Sequence, residues 1–292
     1  MSRRTFLGAG GAVTALAADP PVPVIDIHQH TPYSTRTAEE LVRHQQTMGV
    51  AKTVLLPAGR AYSLAVGIGG NEAALALVRQ YPGQYYFFAN ELPDIPETRA
   101  TLEKYLKLGA IGIGEQKFHV VCDGPAMQLV AAVAQEYNVP VLMHFEHGVY
   151  NLEYERFPNL LQRFPKVNFI GHAQTFWANI DKGHVQTILY PRTKVTAGGW
   201  TDRWLADYPN FYGDLSAGSG LNALQRDEEH AREFLQRHQD KLLYGSDCND
   251  RMGRGGGCSG WQQMEMIRKL APDPAVQRKI FHDNAARIMR LS

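Results

Sequence analysis

The sequence predicts an α/β fold, a single-domain (β/α)8 TIM barrel, from three observations. Short apolar runs alternate with helical stretches about eight times along the chain, which implies parallel βαβ units. The length, 292 residues with 44% hydrophobic and 20% charged side chains, suits one barrel of about 250 residues. No G-x-G-x-x-G or other phosphate loop supports the competing doubly wound sheet.

The first strand is Val24 to His30, an apolar run ending in His-x-His. Thr37 and Glu40 form a capping box that opens a helix to Met48, and Gly49 ends it. Val50–Leu56 reads as a strand, and a glycine-rich loop from Ala58 to Gly70 leads to Asn71 as N-cap of a helix to about Gln80. Gln84–Asn90 is strand-like and Glu97–Leu108 helical, stopping at Gly109. Ala110–Phe118 is the next strand, and Pro125 starts a helix to Tyr137. Val139–Phe145 is a strand, followed by a short helix near Leu160 and a strand at Val167–Gly171. Between Thr175 and Asp207, with Trp177, Trp200 and Trp204, a helix is expected around Val185–Leu189. Asn210–Leu215 is a strand, Asp227–His238 a helix and Leu242–Gly245 the last strand. Helical pieces at Gly260–Leu270 and Pro274–Arg290 close the chain.

Residues 1–18 are read separately. Ser2-Arg3-Arg4-Thr5-Phe6-Leu7, a Gly/Ala-rich apolar run and Ala15-Leu16-Ala17 resemble a twin-arginine signal peptide with an A-x-A cleavage site. A periplasmic or otherwise exported location follows as an expectation, with the barrel occupying residues 19–292. A net charge of +1 without a basic run suggests no nucleic-acid partner. No apolar stretch reaches the roughly 18 residues needed to cross a bilayer. A homo-oligomer stays open. Cys248 and Cys258 could close a disulfide in an oxidising compartment, and free thiols fit equally well.

In a barrel, active-site residues sit at the C-terminal ends of strands. The first strand ends in His28 and His30, which alternation puts on one face. The fourth gives Glu115 and Lys117, the fifth ends in His144, the sixth in His172 and the eighth in Gly245-Ser246-Asp247. Chance would scatter such residues over helices and loops, as it does His44, His184, His230 and His238. A shared divalent metal is the sharper reading, since imidazole and carboxylate suit zinc and its neighbours.

His-x-His after strand one, His after strands five and six, and Gly-Ser-Asp after strand eight resemble the amidohydrolase superfamily. The closing Ile280–Ile288 stretch is similar to the terminal helix of its amidohydrolase-related branch of metal-dependent hydrolases and non-oxidative decarboxylases. The resemblance covers about Val22 to the C-terminus. It implies His28, His30, His144 and Asp247 as ligands of a divalent metal, with zinc and one ion favoured over two. It implies Asp247 as a catalytic proton carrier and His172 as an acid/base or further ligand. Glu115 resembles the bridging carboxylate of two-metal members but is expected here as a hydrogen-bond partner. Lys117 is similarly placed to the carboxylated lysine of other members, and an ion pair with Glu115 is the plainer reading.

The implied reaction is hydrolysis of a C–N or C–O bond (amide, lactone or ester) of a small-molecule substrate. A non-oxidative decarboxylase is the alternative. Arg60, Lys117, Lys194, Arg203, Arg251 and Arg254 suggest an anionic substrate, with Tyr62, Trp177 and Trp200 as an aromatic wall. His119 and His147, in loops, could reach substrate. Asp214 is expected to anchor the turn before Ser216, and Asp26 to find a structural partner outside the lumen. Gly253–Gly257 would make a mobile lid.

Overall fold

A computed structural model describes residues 22–59 and 67–291. The twin-arginine segment, Arg60 and Tyr62 lie outside the described residues. Eight parallel strands run β1 Val24–Gln29, β2 Val50–Leu55, β3 Tyr85–Phe87, β4 Ile113–Gln116, β5 Val141–His144, β6 Phe169–His172, β7 Phe211–Asp214 and β8 Leu242–Leu243. Ladders join β1-β2-β3 and β4 through β8. Two seams complete the cylinder. Ile111 N and Gly114 N donate to Phe87 O and Ala89 O, both at 2.9 Å, between β3 and β4. Ile27 N donates to Tyr244 O (3.1 Å) and Asp247 N to His28 O (2.8 Å) between the last and first strands. Closure removes every open sheet edge, as the sequence predicts for a barrel.

The core has two parts, as a barrel requires. Ile25, Ile27, Val54, Leu56, Phe88, Leu142, Ile170, Tyr212 and Leu243 fill the lumen. Ile288, Met289 and Leu291 join them, and Asn284 Nδ2 donates to Leu242 O at the start of β8 (2.9 Å). The C-terminal helix therefore closes the end opposite the strand C-termini. A second apolar shell packs between strands and outer helices, through Phe145, Phe157, Phe169 and Phe211 among others.

Most helices start and stop where the sequence places them. The Thr37/Glu40 capping box is formed, and Gly49 (φ +72°) ends that helix. Asn71 is not the N-cap of the next helix; Gly70 is. The Asn71 amide instead brackets Asn90, donating to its carbonyl (2.7 Å) and accepting its N–H (2.9 Å). The helix expected at Val185–Leu189 is a single turn, closed by Ile188 N to Val185 O (2.9 Å). Helices form instead at Gln174–Ala178 and Trp200–Asp207, the second stacking Trp200 on Trp204. Ala217–Gln225 is also helical. Its Gly218-Ser219-Gly220 start gives little helical signal, yet Gly220 is required: a Cβ there would stand 2.2 Å from Leu215 O. No helix among the described residues is long and apolar enough to cross a membrane.

Candidate metal centre

At the end of β1 the backbone departs from strict alternation. Ile25 and Ile27 face the lumen, so period two would send both Asp26 and His28 outward. The register breaks between Asp26 and Gln29, and this turns His28 in. Asp26 stays outside, accepting from Gln45 Nε2 (2.8 Å) and Ser246 N (2.9 Å). It has the structural partners expected of it, by a bulge rather than by alternation.

Three histidines then present one bare nitrogen each to a common point. His28 Nδ1 donates to Asp214 Oδ2 (2.6 Å) and His30 Nδ1 to Leu56 O (2.6 Å). Ser216 Oγ gives its single proton to Asp214 Oδ2 (2.8 Å). It must therefore accept from His172 Nδ1 (2.9 Å). Nε2 of all three rings faces the same space, and that of His28 is buried without a hydrogen-bond partner. Glu115 and Asp247 reach in from β4 and from the loop after β8. His28 Nε2 lies 3.7 Å from Glu115 Oε2 and 3.8 Å from Asp247 Oδ1. His30 Nε2 lies 3.8 and 3.4 Å from the same two oxygens, and His172 Nε2 lies 3.8 Å from Glu115 Oε1 and 3.7 Å from Asp247 Oδ2.

Backbone shape serves the same end. Gly114, before Glu115, has φ +145°, and a Cβ there would press Leu142 O at 2.7 Å. Asp247 itself sits at φ +41°, a left-handed conformation held by its N–H to His28 O. Such strain is typical of functional positions.

His144 stands apart from both ligand groups. Its Nδ1 is on Glu115 Oε1 (2.5 Å) and its Nε2 on Glu146 Oε2 (3.3 Å), so neither nitrogen is free. At the barrel mouth, the groups close enough to share an ion are His28, His30 and Asp247, and His28, Glu115 and His172. Glu115 thus lies inside the cluster as well as bonding His144, and Asp214 reaches into the site in addition to anchoring Ser216 N (3.0 Å). Glu146, which the sequence reading passed over because it lies past the strand end, extends this chain outward. It lines a cavity of about 260 Å³ with Tyr154, Thr175 and Trp200.

The charges need a cation. Glu115 and Asp214 are buried carboxylates, Asp247 is partly exposed, and among the described residues Lys117 is the lysine that faces them. Burial works against a charge on His28, but Asp247 and Asp214 raise its pKa well above the ordinary value. Burial raises the Asp247 carboxyl, yet His28 and His30 hold it below the usual range. Glu115 is likewise pushed down against burial by His144 and Lys117. Tyr33 donates to Asp247 Oδ1 (3.0 Å), and that carboxylate, with burial, keeps the phenol protonated. Burial and the neighbouring His28 push His172 down to about 3, so it is neutral at pH 7. Tetrahedral zinc with ligands at about 2.0–2.2 Å separates neighbouring donors by about 3.4 Å. The 3.4–3.8 Å separations here fit such an ion within a few tenths of an ångström. His28, with one free nitrogen, belongs to both groups.

Several residues expected to touch substrate are engaged elsewhere. Trp177 is 2% exposed and donates Nε1 to Asp214 O (2.9 Å); it braces β7 rather than walling the pocket. Arg251 binds Thr35 O (2.9 Å) and Glu40 (3.5 Å), Arg254 lies over Trp261, and Lys194 is exposed near Glu229 (3.9 Å). Arg203 lines an adjoining cavity of about 440 Å³ with Asp181 and His184, and Trp200 lines both that cavity and the one beside Glu146. His119 is exposed and bonds Val149 O (2.8 Å), whereas His147 lines the cavity beside Glu146. Lys117 remains at the site, its charge favoured by Glu115 and Asp247 against burial, with Nζ 5.5 Å from the Tyr150 ring centre.

A closed parallel barrel with histidines and carboxylates converging at its C-terminal mouth defines a barrel metalloenzyme class. Residues 25–291 match the amidohydrolase family model, and the chain belongs to that family. No curated protein matches it. It is similar in fold to an uncharacterised TIM-barrel protein from Bordetella bronchiseptica (16% identity, TM-score 0.66, 92% of this chain and 99% of that one). It is also similar to a probable 2-pyrone-4,6-dicarboxylic acid hydrolase from Acinetobacter baumannii solved with citric acid (16%, 0.62, 91% and 99%). A third is 5-carboxyvanillate decarboxylase from Sphingomonas paucimobilis (13%, 0.60, 93% and 100%).

Proposed function

We propose that this chain is a metal-dependent hydrolase that cleaves a C–O or C–N bond of a small carboxylate-bearing substrate. One observation carries the reading: three imidazoles offer bare Nε2 atoms, and two carboxylates offer oxygens, around one buried point. A divalent ion there, zinc being the best fit to N and O donors, supplies Lewis acidity and lowers the pKa of a bound water to about 7. His28, His30, Asp247, Glu115 and His172 are the donors from which a tetrahedral ion would draw three, keeping its fourth place for water. Asp247, ionised and exposing Oδ2, accepts a proton and passes it to a leaving group. Glu115, His144 and Glu146 form a bonded chain from the cluster toward the cavity. Lys117 is the cation placed to pair with a substrate carboxylate. The anionic character is supported by the neighbours, whose names specify a dicarboxylic acid and a carboxyvanillate.

Decarboxylation is the second reading, favoured by the likeness to the decarboxylase just named. In that case Asp247 would take a proton from a substrate hydroxyl or solvent and deliver it to the carbon that loses CO₂. Purified protein, metal-stripped and zinc-restored, should be assayed on lactones and esters of dicarboxylates while CO₂ release is followed. Hydrolysis restored by zinc without CO₂ supports the first reading, and CO₂ alone the second. Activity in metal-free protein defeats both. Asp247→Asn should keep most metal binding and lose turnover by at least about a hundredfold. We further propose export by the twin-arginine route. Lys substitutions at Arg3 and Arg4 should leave the protein in the cytoplasm of an expressing bacterium, and unchanged export would refute this.

A further inference from the structure

We infer that this chain carries a second, sulfur-containing metal site outside the lumen, formed by His44, Cys248 and Cys258. The three residues come from the first outer helix, the loop after β8 and the start of the helix Ser259–Leu270. All three are buried. Cys248 Sγ lies 3.4 Å from Cys258 Sγ, and Cys258 Sγ lies 3.3 Å from His44 Nε2. The three ligand atoms all lie within 4.8 Å of one another. Tetrahedral zinc with sulfur at about 2.3 Å and nitrogen at about 2.0 Å sets neighbouring sulfurs about 3.8 Å apart and sulfur from nitrogen about 3.5 Å apart. An outward movement of a few tenths of an ångström admits the ion.

The surroundings suit thiolates. Cys258 is the N-cap of its helix and accepts from Trp261 N (3.3 Å), where the helix dipole favours negative charge. The Arg36 guanidinium, fully buried, donates to Cys248 O (2.6 Å) and Asp250 O (3.1 Å), which puts a fixed positive charge beside the pair. Two further donors flank the group. Asp250 Oδ2 is 4.0 Å from His44 Nε2, and Met48 Sδ is 3.8 Å from Cys258 Sγ. Two thiolates, one neutral imidazole and a carboxylate suit zinc or a similarly thiophilic divalent cation. On binding, each thiol releases one proton to solvent and each sulfur forms one bond to the ion. The loop so pinned carries Asp247, one residue before Cys248.

Cobalt(II) separates this site from the lumen site, which has no sulfur donor. Full-length protein loaded with Co²⁺ should show a near-ultraviolet thiolate-to-cobalt charge-transfer band. Cys258→Ser should abolish the band and remove one equivalent of bound metal, and His44→Gln should weaken it. Circular dichroism on each variant checks folding. In unmodified protein, where folding is not at issue, the metal should slow reaction of Cys248 and Cys258 with a thiol reagent at least tenfold, with Cys122→Ser as background. No band, or thiol reactivity indifferent to metal, overturns the proposal. So does isolation under anaerobic, metal-replete conditions with the pair already joined as a disulfide.

Discussion

Asp214→Asn replaces one carboxylate oxygen by an amide group and should be felt at two metal ligands. Asp214 Oδ2 accepts from His28 Nδ1 at 2.6 Å and from Ser216 Oγ at 2.8 Å, and Ser216 in turn fixes His172. Asparagine has one acceptor and one donor to put there. If its oxygen takes the Oδ2 place, both of those bonds persist, and the amide nitrogen instead opposes Ser216 N, which donates to Oδ1 at 3.0 Å. If its amide faces His28, Nδ1 must accept and the His28 proton moves to Nε2. The first arrangement unseats the Ser216 backbone that positions His172, and the second caps the His28 nitrogen aimed at the ion. Losing such an outer partner lowers metal affinity about 10- to 100-fold, roughly 1.4–2.7 kcal/mol. At fixed excess zinc, the metal-dependent stabilisation falls by the same amount, which is about 3–10 °C in Tm. Titration against a competing chelator, with melting curves in the presence and absence of zinc, measures both. Wild-type affinity and an unchanged zinc increment in Asp214→Asn would refute the role of Asp214 in orienting the ligands.

Other perturbations test the scaffold. Gly171→Ala puts a Cβ 2.2 Å from the Phe176 ring and 3.1 Å from Phe211, so it should destabilise by about 1–3 kcal/mol, read as a lower denaturant midpoint; a neutral result means that Phe176 yields freely. Asp202 accepts from His238 Nε2 (2.6 Å) and Arg237 Nη2 (2.8 Å). Burial opposes its ionisation, but His238 and Arg237 hold it below the ordinary value. A depressed folded pKa adds stability that is complete above the unfolded value of about 3.9 and is lost as pH falls from there through the lower folded value. The Tm gap between wild type and Asp202→Asn should therefore be widest near pH 6 and shrink toward about pH 3. A gap independent of pH would show that the charge is immaterial.

The barrel was legible because each lumen strand is an apolar run that stops at a polar end. His28, His30, His172, Glu115 and Asp247 could be picked from those ends without coordinates. What could not be read were the choices among nitrogens. Whether His144 faces an ion or two carboxylates depends on Glu146, which lies past the strand end and carries no periodic signal. The inward turn of His28 comes from a register break that alternation does not foresee. Trp177 looked like pocket wall because it follows a strand end, yet its indole N–H has a carbonyl partner inside the scaffold. Between Thr175 and Asp207, local helical pattern at Val185–Leu189 lost to tertiary packing of Trp200 on Trp204. His44, set aside as a scattered helix histidine, lies against two cysteines more than 200 residues away, a proximity no local pattern encodes.

The seam between the last and first strands has a consequence for how the molecule assembles. His28 and His30 belong to the three-stranded half, while Glu115, His172 and Asp247 belong to the five-stranded half. The bond from Asp247 N to His28 O is itself a rung of that seam. Neither half alone can gather the ligands, and the residues that meet are separated by most of the chain. Metal capture would therefore report closure of a contact that spans most of the chain. An ion bound there acts as a clasp on the cylinder, favouring the closed form over any state in which the first strand has swung away.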